Sequence, residues 1–473
     1  MEMNHSHDHL LTRRRLLATS GLGFGSLALS ALLARDEARA AGTAHERKHH
    51  HAPRAKAVIQ LMQTGGPSQM DLFDPKPELQ KRNGQASPLA VEKFLDNNTD
   101  TLMAAQFGFV RRGRCGMPLS PLLPELGRLA DELCLVRSMH TEHNNHTEAT
   151  VMISTGKTNM GRPALGAWCS YALGTENDNL PAFVVLRDPK KYDTAGSLSW
   201  SSGWLPAVHQ GTELSSTGVP VPNLYSARPI PAAAYRAKLD FLAELNGRHR
   251  DRFPRETELE ARIANYELAA RMQGAAVDVL DTARETAATR KLYGLDDPVT
   301  QAYGTRCLMA RRLIESGVRF VQVFCDQEGQ AWDHHGKLPA ELPKMCRQTD
   351  GPTAALITDL KQRGLLDDTI VLWTGEFGRL PTTQNADGRD HNRNAFSLFL
   401  TGGGFRGGRI HGATDDFGYK AVTDRVSVPD LHATILHQLG LDHHRVSIRH
   451  HGRDETLTDP AVTGAHVVKE LIA

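Results

Sequence analysis

Three times along this chain a stretch with helical spacing runs straight into a short, continuous apolar segment. Residues 121–131 lead into 132–137, 299–316 into 318–325, and 352–365 into 369–374. Uninterrupted apolar runs of this length suit strands buried on both faces, and a helix before each suits parallel crossover connections. Further strand signals lie at 57–62, 183–186 and 397–401, and a late helix with proline near its start lies at 429–439. The pattern predicts an α/β fold with a mostly parallel central sheet and helices on both faces. Residues 188–230 read as an irregular insertion. Residues 232–292, rich in Ala, Arg, Glu and Leu with Leu259, Ile263, Tyr266 and Leu268 as part of a stripe, read as a helical segment packed on the sheet.

The ends of the chain read differently. Arg13-Arg14-Arg15 precedes a short Gly-rich apolar run, Ala18–Ala34, and then Ala38-Arg39-Ala40. A basic segment, a short apolar core and a small-residue cleavage site predict a twin-arginine export signal over 1–40. Residues 41–56 read as a flexible linker, with His49-His50-His51 as an alternative metal-loading tract. The main domain is expected over 57–445, followed by a C-terminal extension at 446–473. Export to the periplasm or beyond is the expectation, with no transmembrane segment in the mature chain. Removing 1–40 takes away five basic and four acidic residues and leaves 50 of each. That balance gives no footprint for nucleic acid. The six cysteines form no CxxC pair; Cys134 and Cys325, inside apolar runs, are expected as buried free thiols.

Potential metal ligands follow the strand-like runs. His140, His143 and His146 come after 132–137, Asp333, His334 and His335 after 318–325, and Glu376 after 369–374, while Asp390 and His391 open the next apolar run. Ligands of open α/β sheets bind beyond the carboxyl ends of the strands. Carboxylates and imidazoles gathered there suit a divalent ion such as zinc. Asp333 and His335, two residues apart on a loop, can face one ion. Glu376 reads as a ligand, a general base or a loop-capping carboxylate, with Arg379 holding either an anionic ester or Glu376 itself. Asp390 either orients His391 or joins it as a ligand, with Arg389 alongside. A helix start near Ala149 favours an anion beside His146.

Taken in order, these segments resemble the exported bacterial family of unknown function related to sulfatases and alkaline phosphatases. The matching pieces are Thr64–Asp71 with Phe73–Pro77, Asn145-His146 leading to Thr155-Gly156, Gly203–Val208, Trp332-Asp333 with His335, Gly375–Arg379, and Gly388–His391. The resemblance spans nearly all of 57–445. It implies an alkaline-phosphatase-like fold in which Asp333, His335 and His391 are metal ligands and Glu376 stands where an Asp of an Asp-His pair would be. It also shows departures. Gly65-Gly66 replace the usual first-strand Asp, which Asp71 or Asp74 could supply only from a folded-back loop. Phe377 replaces the His of the pair. His146 stands where sulfatases carry their modifiable Cys, with Thr147 the nearest hydroxyl. The resemblance therefore implies a metal-dependent hydrolase of phosphate or sulfate esters, free or on a glycan. In it His146 acts as nucleophile or base, or Thr147 attacks, and Arg379 or Arg389 stabilises developing charge. The alternative is a non-catalytic binding protein for an anionic glycan or a partner protein.

Overall fold

The computed structural model describes residues 49–188, 194–218, 230–253, 257–325 and 331–473. The export signal read at 1–40, the first half of the linker and parts of the 188–230 insertion lie outside the described residues. Residues His49–Ala473 form one compact unit.

Its centre is a nine-stranded sheet. In chain order its strands, with the three strands of a smaller sheet, are β1 (Ala57–Gln63), β2 (Asn98–Leu102), β3 (Cys134–His140), β4 (Phe183–Leu186), β5 (Thr212–Glu213), β6 (Phe320–Cys325), β7 (Thr369–Thr374), β8 (Gly378–Gln384), β9 (Gly388–Asn392), β10 (Phe396–Thr401), β11 (Arg409–His411) and β12 (Val426–Ser427). The spatial order is β11-β3-β10-β7-β1-β6-β4-β5, with β12 paired to β3. All these neighbours run parallel except β10, which is antiparallel to both β3 and β7. The α/β, mostly parallel architecture expected from the sequence is thus what the chain adopts. The smaller antiparallel sheet, β9-β8-β2, flanks the carboxyl end of β7.

Alternate residues of one strand feed two different cores, which is why these strands are largely apolar. From β1, Ile59 and Leu61 join a core with Val321, Val323 and Trp373. Helices α5 (Gln301–Glu315) and α6 (Leu338–Gln362) cover that face through Leu308, Leu313, Leu356 and Leu360. Val58 and Met62 point the other way, to a core with Phe324, Ile370 and Leu372 under α2 (Leu165–Leu173) and α7 (Val428–Gln438). Helix α1 (His146–Thr155) lies on that second side through Met152 and Ile153.

Several boundaries differ from the sequence reading. Helix α6 starts at Leu338, well before 352, and carries Pro343 and Pro352 inside it. Residues 121–131 give only a short helix, Pro124–Arg128, and a turn of 3₁₀ helix. The 232–292 segment contains α3 (Ala232–Arg252) and α4 (Thr257–Leu280). The end of α4 packs into the core through Met272 and Leu280, whereas none of the described side chains of α3 is buried. Residues 49–56 are hydrogen-bonded to the end of α7, His50 N to Gly440 O and Ala55 N to Gln438 O. The last residues pack on the same unit, with Leu471 buried and Ala473 N donating to Gly404 O. All six cysteines are free thiols, and five of them are buried. No described helix is long and apolar enough to cross a membrane.

Candidate metal centre

The carboxyl ends of β1, β3, β6 and β7 open at one edge of the sheet, and four ligand side chains meet there. His146, Asp333, His335 and His391 each offer one ligand atom, all within 4.8 Å of one another. Among the described residues this is the one such group. Two ligands of a tetrahedral zinc ion, each about 2.1 Å from it, stand about 3.4 Å apart, so the four side chains must draw together to seat an ion.

Local structure aims each ligand. Asn145, in extended backbone, caps α1 by accepting from Thr147 N at 3.0 Å. That cap places His146 at the first helical position, three residues earlier than the sequence suggested. Asp333 sits on the loop after β6, and Gly65 lets that loop approach. With φ at +111°, a Cβ at Gly65 would lie 2.6 Å from Asp333 N. His391 comes from β9, where it pairs across the hairpin with Arg379. Arg379 reaches the same carboxylate, its Nη2 donating to Asp333 Oδ1 at 2.6 Å.

The imidazole tautomers follow from their outer partners. His146 Nδ1 faces Glu376 Oε1 at 2.6 Å, and His391 Nδ1 faces Asn144 O at 2.6 Å. Both partners only accept, so both Nδ1 atoms carry the proton. His335 Nδ1 faces Gln384 Oε1 at 2.5 Å, and Gln384 Nε2 donates to Asn97 Oδ1 at 2.7 Å, which fixes that amide the same way round. All three rings therefore turn Nε2 toward Asp333. His335 and His391 lie 2.9 and 3.2 Å from its Oδ1, and His146 lies 3.3 Å from Oδ2 without hydrogen-bond alignment. Neutral Nε2 atoms are acceptors, and acceptors facing a carboxylate repel it unless a cation sits between them. The donor set fits a divalent ion for that reason.

The electrostatics agree. Burial opposes ionisation of Asp333, but Arg379 and the three imidazoles outweigh it and hold the carboxyl far below its ordinary range. Burial likewise opposes a charge on His146, but Asp333 and Glu376 prevail and raise its pKa to about 9. In the absence of a metal the cluster captures a proton in its place. Burial lowers His391 to about 4, helped by Arg379 and opposed by Asp333.

The other residues singled out in the sequence fall around this centre. Glu376 does not belong to the four-ligand group; its Oε1 holds His146 and accepts from Gly65 N at 2.8 Å, and its Oε2 is buried with no partner. Asp390 faces away from its neighbour's ring, taking the amides of Phe94 and Leu95 at 2.9 and 3.0 Å and that of His391 at 2.8 Å. Thr147, at the second helical position, is partly buried. Arg379 and Arg389, expected to stabilise developing charge, are both buried and engaged by the protein's own acceptors. Arg379 donates to the carbonyls of Gly65, Gly66 and Arg389 as well as to Asp333. Arg389 pairs with Asp71 at 2.8 Å and donates to the carbonyls of Leu380 and Ala104.

Asp71 is thus spoken for, and Asp74 accepts from Thr414 Oγ1 and pairs with Lys76, with Arg137 Nε 3.8 Å away. Neither replaces the absent first-strand Asp. Phe377 packs its ring 4.8 Å from His146 and 4.5 Å from His391, forming an apolar wall in place of an imidazole. His140 and His143 stay outside the group of four. Asn97, Asn144, Gln384 and Phe94 went unnoticed in the sequence. A lone amide or phenyl in an irregular stretch carries no spacing signal.

Comparison with solved structures gives distant likenesses. The lipoteichoic acid synthase LtaP from Listeria monocytogenes is 10% identical with a TM-score of 0.36, over 86% of this chain and 78% of that one. The PsFucS1 sulfatase from Pseudoalteromonas sp. is 12% identical with a TM-score of 0.35, over 89% and 72%. The alkaline phosphatase from the Antarctic bacterium TAB5 is 9% identical with a TM-score of 0.32, over 74% and 92%. At these scores the likeness by itself assigns no activity. Comparison with curated proteins finds no match. The sequence model of one family matches residues 55–472, a span that includes every ligand of the centre, and the chain belongs to that family, described as a protein of unknown function (DUF1501).

Proposed function

We propose that this protein is a metal-dependent hydrolase of phosphate or sulfate esters, exported by the twin-arginine route read at residues 1–40. The observation that carries the proposal is the convergence of three imidazole Nε2 atoms on the Asp333 carboxylate. His146, Asp333, His335 and His391 would hold the ion. A bound divalent ion polarises an ester oxygen and lowers the pKa of a bound water.

The chain's own residues do the rest. The start of α1 directs the positive end of a helix dipole at the centre, which favours an anionic group there. Phe377 keeps water from one side of the imidazoles. Glu376 holds the His146 Nδ1 proton and so fixes that ring. In the net reaction the bond from phosphorus or sulfur to the leaving oxygen breaks and a water oxygen takes its place. The water's protons divide between product and leaving group.

One observation favours a second reading. Four protein donors fill a tetrahedral shell, as in structural zinc sites. A protein that holds its ion this way can bind an anionic glycan or a partner without turnover. Metal analysis and an ester screen on protein recovered from the periplasm test both readings. About one equivalent of a divalent ion, with turnover of aryl phosphates or sulfates that Asp333→Asn abolishes, is the expected result. Metal with tight ester binding and no turnover would favour the second reading, and metal-free protein would sink both.

A further inference from the structure

Above the centre, residues 92–97 cross as a strap with several fastenings that lead to the candidate metal ligands. Asp390 ties the amides of Phe94 and Leu95 to the backbone of His391. Asn97 holds Gln384, which holds His335. Glu92 pairs with Arg393, two residues beyond His391, at 2.9 Å. On this strap Phe94 stacks on His391 with ring centroids 4.8 Å apart and planes 23° apart. Phe94 is nevertheless 39% exposed, and so is Leu95. Two large apolar side chains therefore stand partly in solvent at the rim of a highly polar cluster, on backbone that the cluster itself holds in place.

Apolar surface held in place beside the centre can be buried by a ligand that reaches it. What covers it must also belong beside the ion, because the phenyl ring is one stacking distance from a ligand imidazole. We infer that Phe94 is the platform for the non-reacting part of the substrate, and that this part is a flat or apolar ring. The inference rests on the proposed ester chemistry and adds the substrate class: esters of phenols or of sugars whose apolar face can lie on a phenyl, rather than short alkyl esters. Burial of a ring against Phe94 adds dispersion and apolar contact without new polar partners. Because the strap is tied down beforehand, little ordering is needed on binding.

The test uses the full exported protein loaded with its metal and two phosphonates, phenyl and methyl, which share the anionic group. Equilibrium binding is measured for the wild type, Phe94→Ala and Phe94→Tyr, with metal content recorded for each. The expected result is tighter binding of the phenyl ligand by the wild type and its loss by roughly fivefold in Phe94→Ala. Methyl binding stays unchanged, and Phe94→Tyr behaves like the wild type. Equal weakening of both ligands, or none of either, overturns the platform while leaving the metal reading intact. If the loaded wild type binds neither ligand, the platform falls together with the ester chemistry beneath it. A cyclic sugar phosphate in place of the phenyl ligand then separates aromatic from carbohydrate esters.

Discussion

Glu376 Oε1 stands 2.6 Å from His146 Nδ1, and this one contact decides which nitrogen the ring turns toward Asp333. The other two ligand imidazoles are set by neutral acceptors, a carbonyl for His391 and an amide for His335. Only His146 is held by a carboxylate, and that carboxylate is buried with its second oxygen unpartnered. A desolvated negative charge behind a ligand makes the imidazole a stronger donor. In the proposed centre Glu376 would therefore act from behind His146, outside the group of four, where the sequence reading left it as a ligand, a general base or a capping carboxylate.

Replacing Glu376 by Gln keeps the shape and removes the charge. Metal affinity should fall by about 10- to 100-fold, the usual cost of losing an outer partner of a ligating histidine. Competition against a chelator of known strength measures it, with circular dichroism to show an unchanged fold. An affinity equal to that of the wild type would leave the carboxylate with no tuning role.

Gly65 offers a test of the backbone. Its φ of +111° is unfavourable for any residue with a side chain, and a Cβ there would press on Asp333 N and Trp332 N. Gly65→Ala should cost about 1–3 kcal/mol of stability from strain, and more where the loop cannot yield. Because the displaced loop carries Asp333, metal binding should weaken in the same variant. Chemical denaturation and metal titration read the two effects separately. Full affinity in a destabilised protein would mean that the loop moves without its carboxylate.

How far the site could be foreseen depends on the kind of signal. Strands such as 369–374 and 183–186 were legible to the residue, because a strand buried on both faces must be apolar throughout. Asp333 and His335 were legible because polar side chains after such a run fall at one sheet edge, whereas His391 stood out only as half of an Asp-His pair before the next apolar run. The β8–β9 hairpin was not legible, since its strands Gly378–Gln384 and Gly388–Asn392 are mostly polar or charged yet almost wholly buried around Arg379 and Arg389. Buried polar strands satisfied by partners more than 300 residues away, as Arg379 is by Gly66 and Arg389 by Asp71, leave no pattern in local sequence. The same holds for Asp390, whose carboxylate serves the strap instead of the ion.

Arg389 and Asp71 form a buried pair, each fully enclosed, at 2.8 Å. Removing one partner leaves the other charge unpaired, so Arg389→Met should destabilise the protein by about 3–5 kcal/mol. The double variant, Arg389→Met with Asp71→Leu, should recover much of that loss, because an apolar pair tolerates the site better than a lone charge. Metal stoichiometry in the folded double variant should match the wild type. If the double variant folds well but no longer holds its ion, Arg389 acts on the centre and is more than a scaffold.

The proton on His146 gives the centre a characteristic pH dependence. Without metal its pKa is about 9, so at pH 7–8 the folded apoprotein carries a proton where the ion would bind. Loading the ion must expel that proton, whereas Asp333 is already ionised and His391, near 4, is already neutral. Titration of apoprotein with metal in weak buffer should release about one proton per ion from this histidine, and apparent affinity should rise about tenfold per pH unit until it levels off near pH 9. The stability of the apoprotein should move the other way. A pKa raised from 6.5 contributes stability that is fully present below about 6.5 and is lost as pH climbs through about 9. The metal-loaded protein has no such proton to lose and should keep its melting temperature across that interval. Melting curves of both forms from pH 6 to 9.5 therefore report on the same histidine from opposite directions. Parallel curves would place the captured proton elsewhere.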